Sequence, residues 1–193
     1  MATQIDIINN ALICLGQLPI DSLSEPNPAI QSVIRLYDMI VQNSFVQHPW
    51  KFALKTVNLL EADPAIEPMT DNYSRVYHLP ADYIWCWRTY PISFNYRIQG
   101  NLVYTNSGPN FKMIYVYSAP PGAFPDYFAL YVAYELAAQS ALLVTENSSL
   151  VQIWEQKAMQ QLMLCQNRDS SQQPSDSVAY DPYWAAHGSS WGY

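Results

Sequence analysis

Apolar residues return every three or four positions in four stretches of this chain, and every second position in parts of the stretch between the second and third. The first period marks a helix with one buried face, the second a strand with one buried face. Ile5, Ile8, Leu12 and Leu15 form the first helical stripe. Thr3 is placed to cap it with Asp6 three residues on, a variant of the capping box, and Gly16 supplies a left-handed stop. Asn27 followed by Pro28 predicts the start of a second helix. Its stripe is Ile30, Val33, Ile34, Tyr37, Ile40, Val41, Ser44 and Phe45. Pro49 pushes the preceding residue out of the helical region, which ends this helix near Gln47 or His48.

From Trp50 the period shortens. Lys51 to Glu61, Arg75 to Leu79 and Tyr83 to Thr89 read as strands, and Tyr96 to Ile98 with Leu102 to Tyr104 as a hairpin around Gly100-Asn101. Phe111 to Tyr117 alternates Phe111, Met113, Tyr115 and Tyr117 against Lys112, Ile114 and Val116. Helix returns after Pro120-Pro121-Gly122, with Asp126 as the expected cap and Phe128, Tyr131, Glu135, Ala138 and Leu142 as the stripe. Small residues on this helix permit close approach of a neighbour. Ser148 or Ser149 is the expected cap of a fourth helix, with the stripe Val151, Trp154, Ala158, Leu162 and Cys165. A tight turn makes the last two helices an antiparallel pair.

The expected fold is therefore mainly α: an antiparallel four-helix bundle of 3–16, 27–48, 125–146 and 148–167, with a small antiparallel β-unit inserted between helices two and three. In domain terms, 1–49 and 120–168 form the bundle, 50–119 the inserted β-unit and 169–193 an extended C-terminal arm. The arm is Ser- and Gln-rich at first, and then carries Tyr180, Tyr183, Trp184, Trp191 and Tyr193 with no period. Such a segment has no fold of its own, and its large aromatics predict docking on another surface.

Composition narrows the function. The 193 residues carry 16 acidic and 9 basic side chains, a net charge of −7, which argues against a protein that grips nucleic acid through a broad basic face. Tyr131 to Val144, the most apolar run, is interrupted by Glu135 and Gln139, and the N-terminus has no positive region, so a soluble protein made in a cytoplasm is expected. Cys14, Cys86 and Cys165 are far apart without a CxxC pair, which predicts free thiols rather than a zinc site. His48, His78 and His187 fall in different segments, the carboxylates are scattered, and no nucleophile, phosphate-loop or metal motif is present. Neither catalysis nor a cofactor is expected. His48-Pro49-Trp50 reads as a structural junction, a helix terminus followed by a packed indole. The aromatics between Tyr73 and Tyr117 read as sheet core rather than a sugar-stacking platform. Glu135 reads as an interhelical or intersubunit hydrogen-bond partner rather than a catalytic acid.

The order of motifs also carries a likeness. Ile8-Asn9-Asn10-Ala11-Leu12, Leu15-Gly16, Pro19-Ile20 and Ser22-Leu23 lead through the second helix to His48-Pro49-Trp50-Lys51-Phe52-Ala53. Tyr77-His78-Leu79-Pro80-Ala81-Asp82, the hairpin Tyr96 to Leu102, Phe124-Pro125-Asp126-Tyr127-Phe128 and Leu136-Ala137 follow. Over roughly residues 5 to 167 this ordered set resembles the head-to-tail adaptors of short-tailed phages, the tubular tail protein A group related to the packaged-DNA stabilisation adaptors. The last helix departs from that family in Gln156, Gln160, Gln161 and Gln166, and the tail departs in being aromatic. The resemblance implies a virion protein at the head-tail interface: a ring of twelve copies between the portal protein and the tail nozzle protein, lining the DNA channel for genome retention and ejection. Genomic DNA would pass through without tight binding, and no membrane is involved. The arm aromatics are then expected to dock on the portal or on a neighbouring copy. The alternative expectation is a stand-alone aromatic-rich module that binds carbohydrate or peptide.

Overall fold

The computed structural model describes residues 2–62, 73–91, 95–109 and 111–172. Their element order is α1 (Gln4–Cys14), α2 (Pro28–Val46), a turn of 3-10 helix (Lys51–Ala53), β1 (Leu54–Asn58), β2 (Arg75–His78), β3 (Tyr83–Tyr90), β4 (Tyr96–Gln99), β5 (Leu102–Thr105), β6 (Lys112–Tyr117), α3 (Asp126–Thr145) and α4 (Ser148–Ser170). The arm aromatics Tyr180, Tyr183, Trp184, Trp191 and Tyr193 lie outside the described residues.

Local signals set the helix starts. The Thr3 hydroxyl accepts from the Asp6 amide at 3.2 Å while the Asp6 carboxylate accepts from the Thr3 amide at 2.8 Å, a complete capping box. Asn27 accepts from the Ala29 amide at 3.0 Å, with Pro28 opening the helix. Two expected caps fall elsewhere. Pro125 rather than Asp126 is the cap position of α3, which leaves Asp126 in the first turn, where its charge favours the helix dipole. Asn147, not Ser148 or Ser149, caps α4 by accepting from the Ser149 amide at 3.0 Å. Asn9 pins the connector after α1 through two hydrogen bonds to the backbone of Ile20.

α3 is apolar on every side, and its buried residues run from Phe128 to Ala141. It is long and apolar enough to cross a bilayer, continuing through Glu135 and Gln139, yet more than half of it is covered by the rest of the chain. A helix of that kind belongs at the centre of a core. α4 packs along it as an antiparallel hairpin, while α1 and α2 each pack on α3 and scarcely touch one another.

This arrangement corrects the expected four-helix bundle with a small β-unit. The helices cluster around α3 rather than closing a bundle, and the strands form two separate three-stranded antiparallel sheets, in the orders β1-β6-β3 and β2-β5-β4. The physical reason lies at the C-terminal end of α2, where Phe45 joins one core with Trp85 of β3 and Val116 of β6, and the Trp85 indole donates to the Phe45 carbonyl. Val116, Ala53, Leu54 and Trp85 therefore share one core with the helices. The segment expected to be strand from Lys51 begins as a 3-10 turn, and strand starts only at Leu54. A second core of Leu59, Tyr77, Val103, Phe111, Met113 and Tyr115 joins the two sheets. The hairpin forms as expected, with Gly100 at a φ of 59° that a side chain would oppose.

Candidate functional site

The His48-Pro49-Trp50 junction is where the helices meet the first sheet. A helix leaves its last carbonyls without intrahelical partners. At the end of α2 two indoles satisfy them: Trp50 Nε1 donates to the Ser44 carbonyl at 2.8 Å, and Trp85 Nε1 from β3 donates to the Phe45 carbonyl at 3.0 Å. Trp50 is fully buried, edge-on to Phe128 at 5.0 Å and to His48 at 4.8 Å, with Phe52 beyond. Phe45 stacks on Phe128 at 5.6 Å and completes the aromatic cluster.

Asp169 closes the junction from the far end of the chain. Its side chain is fully buried, and its two oxygens stand 3.0 and 3.1 Å from the backbone amide of Lys51. His48 Nε2 lies 3.3 Å from one of them, and the Tyr127 hydroxyl donates to the other at 3.4 Å. A carboxylate buried without such donors would be costly. Burial and the Asp169 charge push the Tyr127 phenol up to about 12, which keeps the proton it donates. One turn earlier, the Cys165 thiol donates to the Tyr127 carbonyl at 3.0 Å, and burial raises it to about 11. The sequence reading placed Asp169 in the arm. In the structure it is the next member of the α4 stripe, four residues after Cys165, and that continued period was the signal for it.

The other charged contacts lie on the first sheet. Asp82 accepts from Lys55 and, at 2.8 Å, from the Tyr115 hydroxyl, and both donors hold its carboxyl below the usual range. Lys55 also sits over the Tyr117 ring at 3.8 Å. Trp87 lies between Lys51 and Arg88, whose charges stand 5.2 and 4.7 Å from its ring. The sequence showed Lys51 and Lys55 four residues apart, but the addition of Arg88 depends on strand pairing. Most aromatics of the β-unit are spent in the two cores. Glu135, expected as an interhelical or intersubunit hydrogen-bond partner, accepts within its own helix from the Gln139 amide at 2.8 Å.

Chemically, the junction holds groups in place. His48 is engaged with Asp169, and the Cys165 thiol faces a carbonyl rather than a base. Among the described residues, no three His, Cys, Asp or Glu side chains come together as a metal site. In comparison with known proteins, no family model matches the chain and no curated protein matches it closely enough to count as a relative.

Proposed function

We propose that this chain is a head-to-tail adaptor of a short-tailed phage, a structural protein that assembles as a ring of twelve between portal and tail nozzle and lines the path of the DNA. The observation that carries the reading is the His48 to Ala53 junction. One motif of the ordered set that resembles the adaptor family is also the point where α2, α3, α4 and β3 are bonded together. A protein that transmits load along a channel needs its helical part and its sheets to move as one body.

Two further features support it. The outward face of α4 presents Gln152, Ile153, Gln156, Met159, Gln160, Met163, Leu164 and Asn167, all exposed and none charged. Uncharged exposed surface with Met and Leu at its centre suits packing against a neighbouring copy. The acidic balance suits a channel wall, because it repels phosphates and lets a duplex slide where a basic wall would hold it. In the assembled ring the anchors Tyr180, Tyr183, Trp184, Trp191 and Tyr193 dock on the portal or the adjacent copy.

The test is electron microscopy and native mass measurement of the protein mixed with portal rings. Twelvefold decoration is the expected result, together with weak affinity for duplex DNA in isolation, whereas a tight complex with a steep salt dependence would contradict the sliding wall. A protein that stays monomeric and leaves portals bare overturns the reading and favours a carbohydrate- or peptide-binding module.

A further inference from the structure

α2 and α4 both pack on α3 and scarcely touch one another, so their outward faces point in different directions. On the uncharged outward face of α4 the apolar members Ile153, Met159, Met163 and Leu164 are 47–61 % exposed, and Glu155 and Lys157 stand at its two edges. With the polar side chains between them the face offers on the order of 700 Å², close to the ~800 Å² that each partner gives to a stable interface. The outward row of α2 is Arg35, Met39, Asn43 and Val46, all exposed. Met39 and Val46 are its apolar members, 57 % and 56 % exposed.

We propose that the outward face of α4 in one copy packs on the outward row of α2 in the next, with Met159 against Met39 and Glu155 beside Arg35. The inference rests on the ring reading. A closed ring of more than two copies needs a contact in which a face meets a different face rather than itself. Of the other helices, α3 is the central one and α1 spans 11 residues, so α2 has the outward row to match α4. Level is the first argument for the pairing. His48, just past the end of α2, meets Asp169 of the last turn of α4 at 3.3 Å, so both helices run toward the junction and share one reference height. Arg35 stands 13 residues before His48 and Glu155 14 residues before Asp169, which puts both about 20 Å from that level at 1.5 Å per residue. Met39 and Met159 both lie about 14 Å from it by the same measure. Rotation about an axis parallel to the helices keeps each residue at its height and both helices in the same direction. Charge is the second argument. Copies that carry −7 each repel one another, and an uncharged face with one opposite pair at its edge lets them meet. Arg35 and Glu155 are exposed, and neither has an ion-pair partner among the described residues.

Sedimentation and native mass measurement of the full chain, alone and mixed with portal rings, test it. Met39→Glu and Met159→Lys each set a new charge beside a like one across the contact, Glu155 in the first case and Arg35 in the second. Both replace exposed side chains, so both variants are expected to melt with the natural protein. Each should assemble at least tenfold more weakly than the natural chain. Mixed together they should give pairs and nothing larger, because one intact α2 row and one intact α4 face remain between them. Arg35→Glu and Glu155→Arg should each weaken assembly several-fold, and the double reversal should restore it. Assembly that Met159→Lys blocks and Met39→Glu leaves intact overturns the proposal, and so do full rings from the mixture. Rings that form alone yet leave portals bare overturn the adaptor reading and leave this contact standing. Portals decorated equally by all four single variants overturn the contact and leave the adaptor reading standing. A natural chain that stays monomeric with and without portal overturns both.

Discussion

Both carboxylate oxygens of Asp169 reach the backbone amide of Lys51, 118 residues earlier in the chain, at 3.0 and 3.1 Å. The contact ties the last turn of α4 to the residue where α2 has ended and the sheet has not yet begun. His48 and Tyr127 share the same carboxylate, so one buried side chain fixes the junction and the starts of β1 and α3 together. Asp169→Ala would leave three donors facing an apolar gap. Leaving a buried donor unpaired costs about 1–3 kcal/mol each, more where the lost acceptor is charged, and ~2–4 °C of melting temperature is expected per kcal/mol at this size. The melting temperature should therefore fall by roughly 6 °C or more by calorimetry, while Asp169→Asn, which retains an acceptor, should lose clearly less. An alanine variant that melts with the natural protein would mean that water replaces the carboxylate without loss.

Trp50 separates packing from hydrogen bonding in the same junction. Trp50→Ala removes a fully buried indole and should cost ~3–5 kcal/mol. Trp50→Phe keeps most of the apolar contact with Phe128 and loses the bond to the Ser44 carbonyl, a loss of about 1–2 kcal/mol. Chemical denaturation of the two variants should give that order with a similar slope. A Trp50→Ala midpoint within about 2 °C of the natural protein on heating would refute the anchoring role.

These two residues differ in how far the sequence exposes them. Trp50 was legible because its cause is local: Pro49 ends the helix, and an indole directly after it has only the core to enter. The Thr3 and Asn27 caps were legible for the same reason. Asp169 was not, since Arg168-Asp169-Ser170 looks like the opening of a polar tail, and only the buried donors of Lys51, His48 and Tyr127 make a carboxylate welcome there. The division of the strands into two sheets was also hidden. Apart from the first, expected over Lys51 to Glu61 and found only at Leu54–Asn58, each strand was placed to within a residue along the chain, but alternation reports which face of a strand is buried and not which partner it pairs with. β1 pairs with β6 across more than fifty residues of intervening chain. The indole of Trp85 on the Phe45 carbonyl follows from that pairing and could not precede it.

The three cysteines should differ in reactivity in an order set by burial. Cys165 is fully enclosed and raised to about 11, while burial also raises Cys14 and Cys86, which are partly exposed. At pH 8 a thiol of that kind is ionised in about one molecule in a thousand, and the thiolate is the reactive form. A disulfide reagent should therefore modify Cys14 and Cys86 slowly in the native protein and Cys165 only after unfolding. Rapid native labelling of Cys165 would show that the end of α4 opens.

Asp82 gives the first sheet a pH dependence of known sign. The hydrogen bond from Lys55, with that from Tyr115 and the Lys55 charge, holds its carboxyl below the ordinary value, against a smaller opposing effect of burial. A group lowered on folding adds stability that is fully present above its unfolded pKa of about 3.9 and is lost as the pH falls through the folded value. The difference in melting temperature between the natural protein and Asp82→Asn should be constant from pH 5 to 7 and shrink below pH 4. The pair is part-exposed, so the difference is modest and reduced by salt. A gap that widens in acid would reverse the assignment.

The turn between α3 and α4 contains a removable strain. Glu146 ends α3 with a φ of 55°, in the left-handed region, and is the sole non-glycine residue in that region among the described residues. Its side chain is exposed, and among the described residues no ion pair of that side chain offsets the conformation. An L-residue there costs roughly 1–2 kcal/mol because its Cβ crowds the following carbonyl. Glycine removes that contact, and it is the residue most often found where a helix ends this way. It also gives the unfolded chain more freedom to lose, which takes back part of the gain. The net expectation for Glu146→Gly is a stabilisation of about 0.5–1 kcal/mol, a rise of roughly 1–4 °C in melting temperature. Glu146→Ala retains the Cβ and should leave the melting temperature nearly unchanged, which separates backbone relief from the loss of a charge. Should Ala raise the melting temperature as much as Gly, the carboxylate and not the left-handed backbone is the unfavourable feature of this turn.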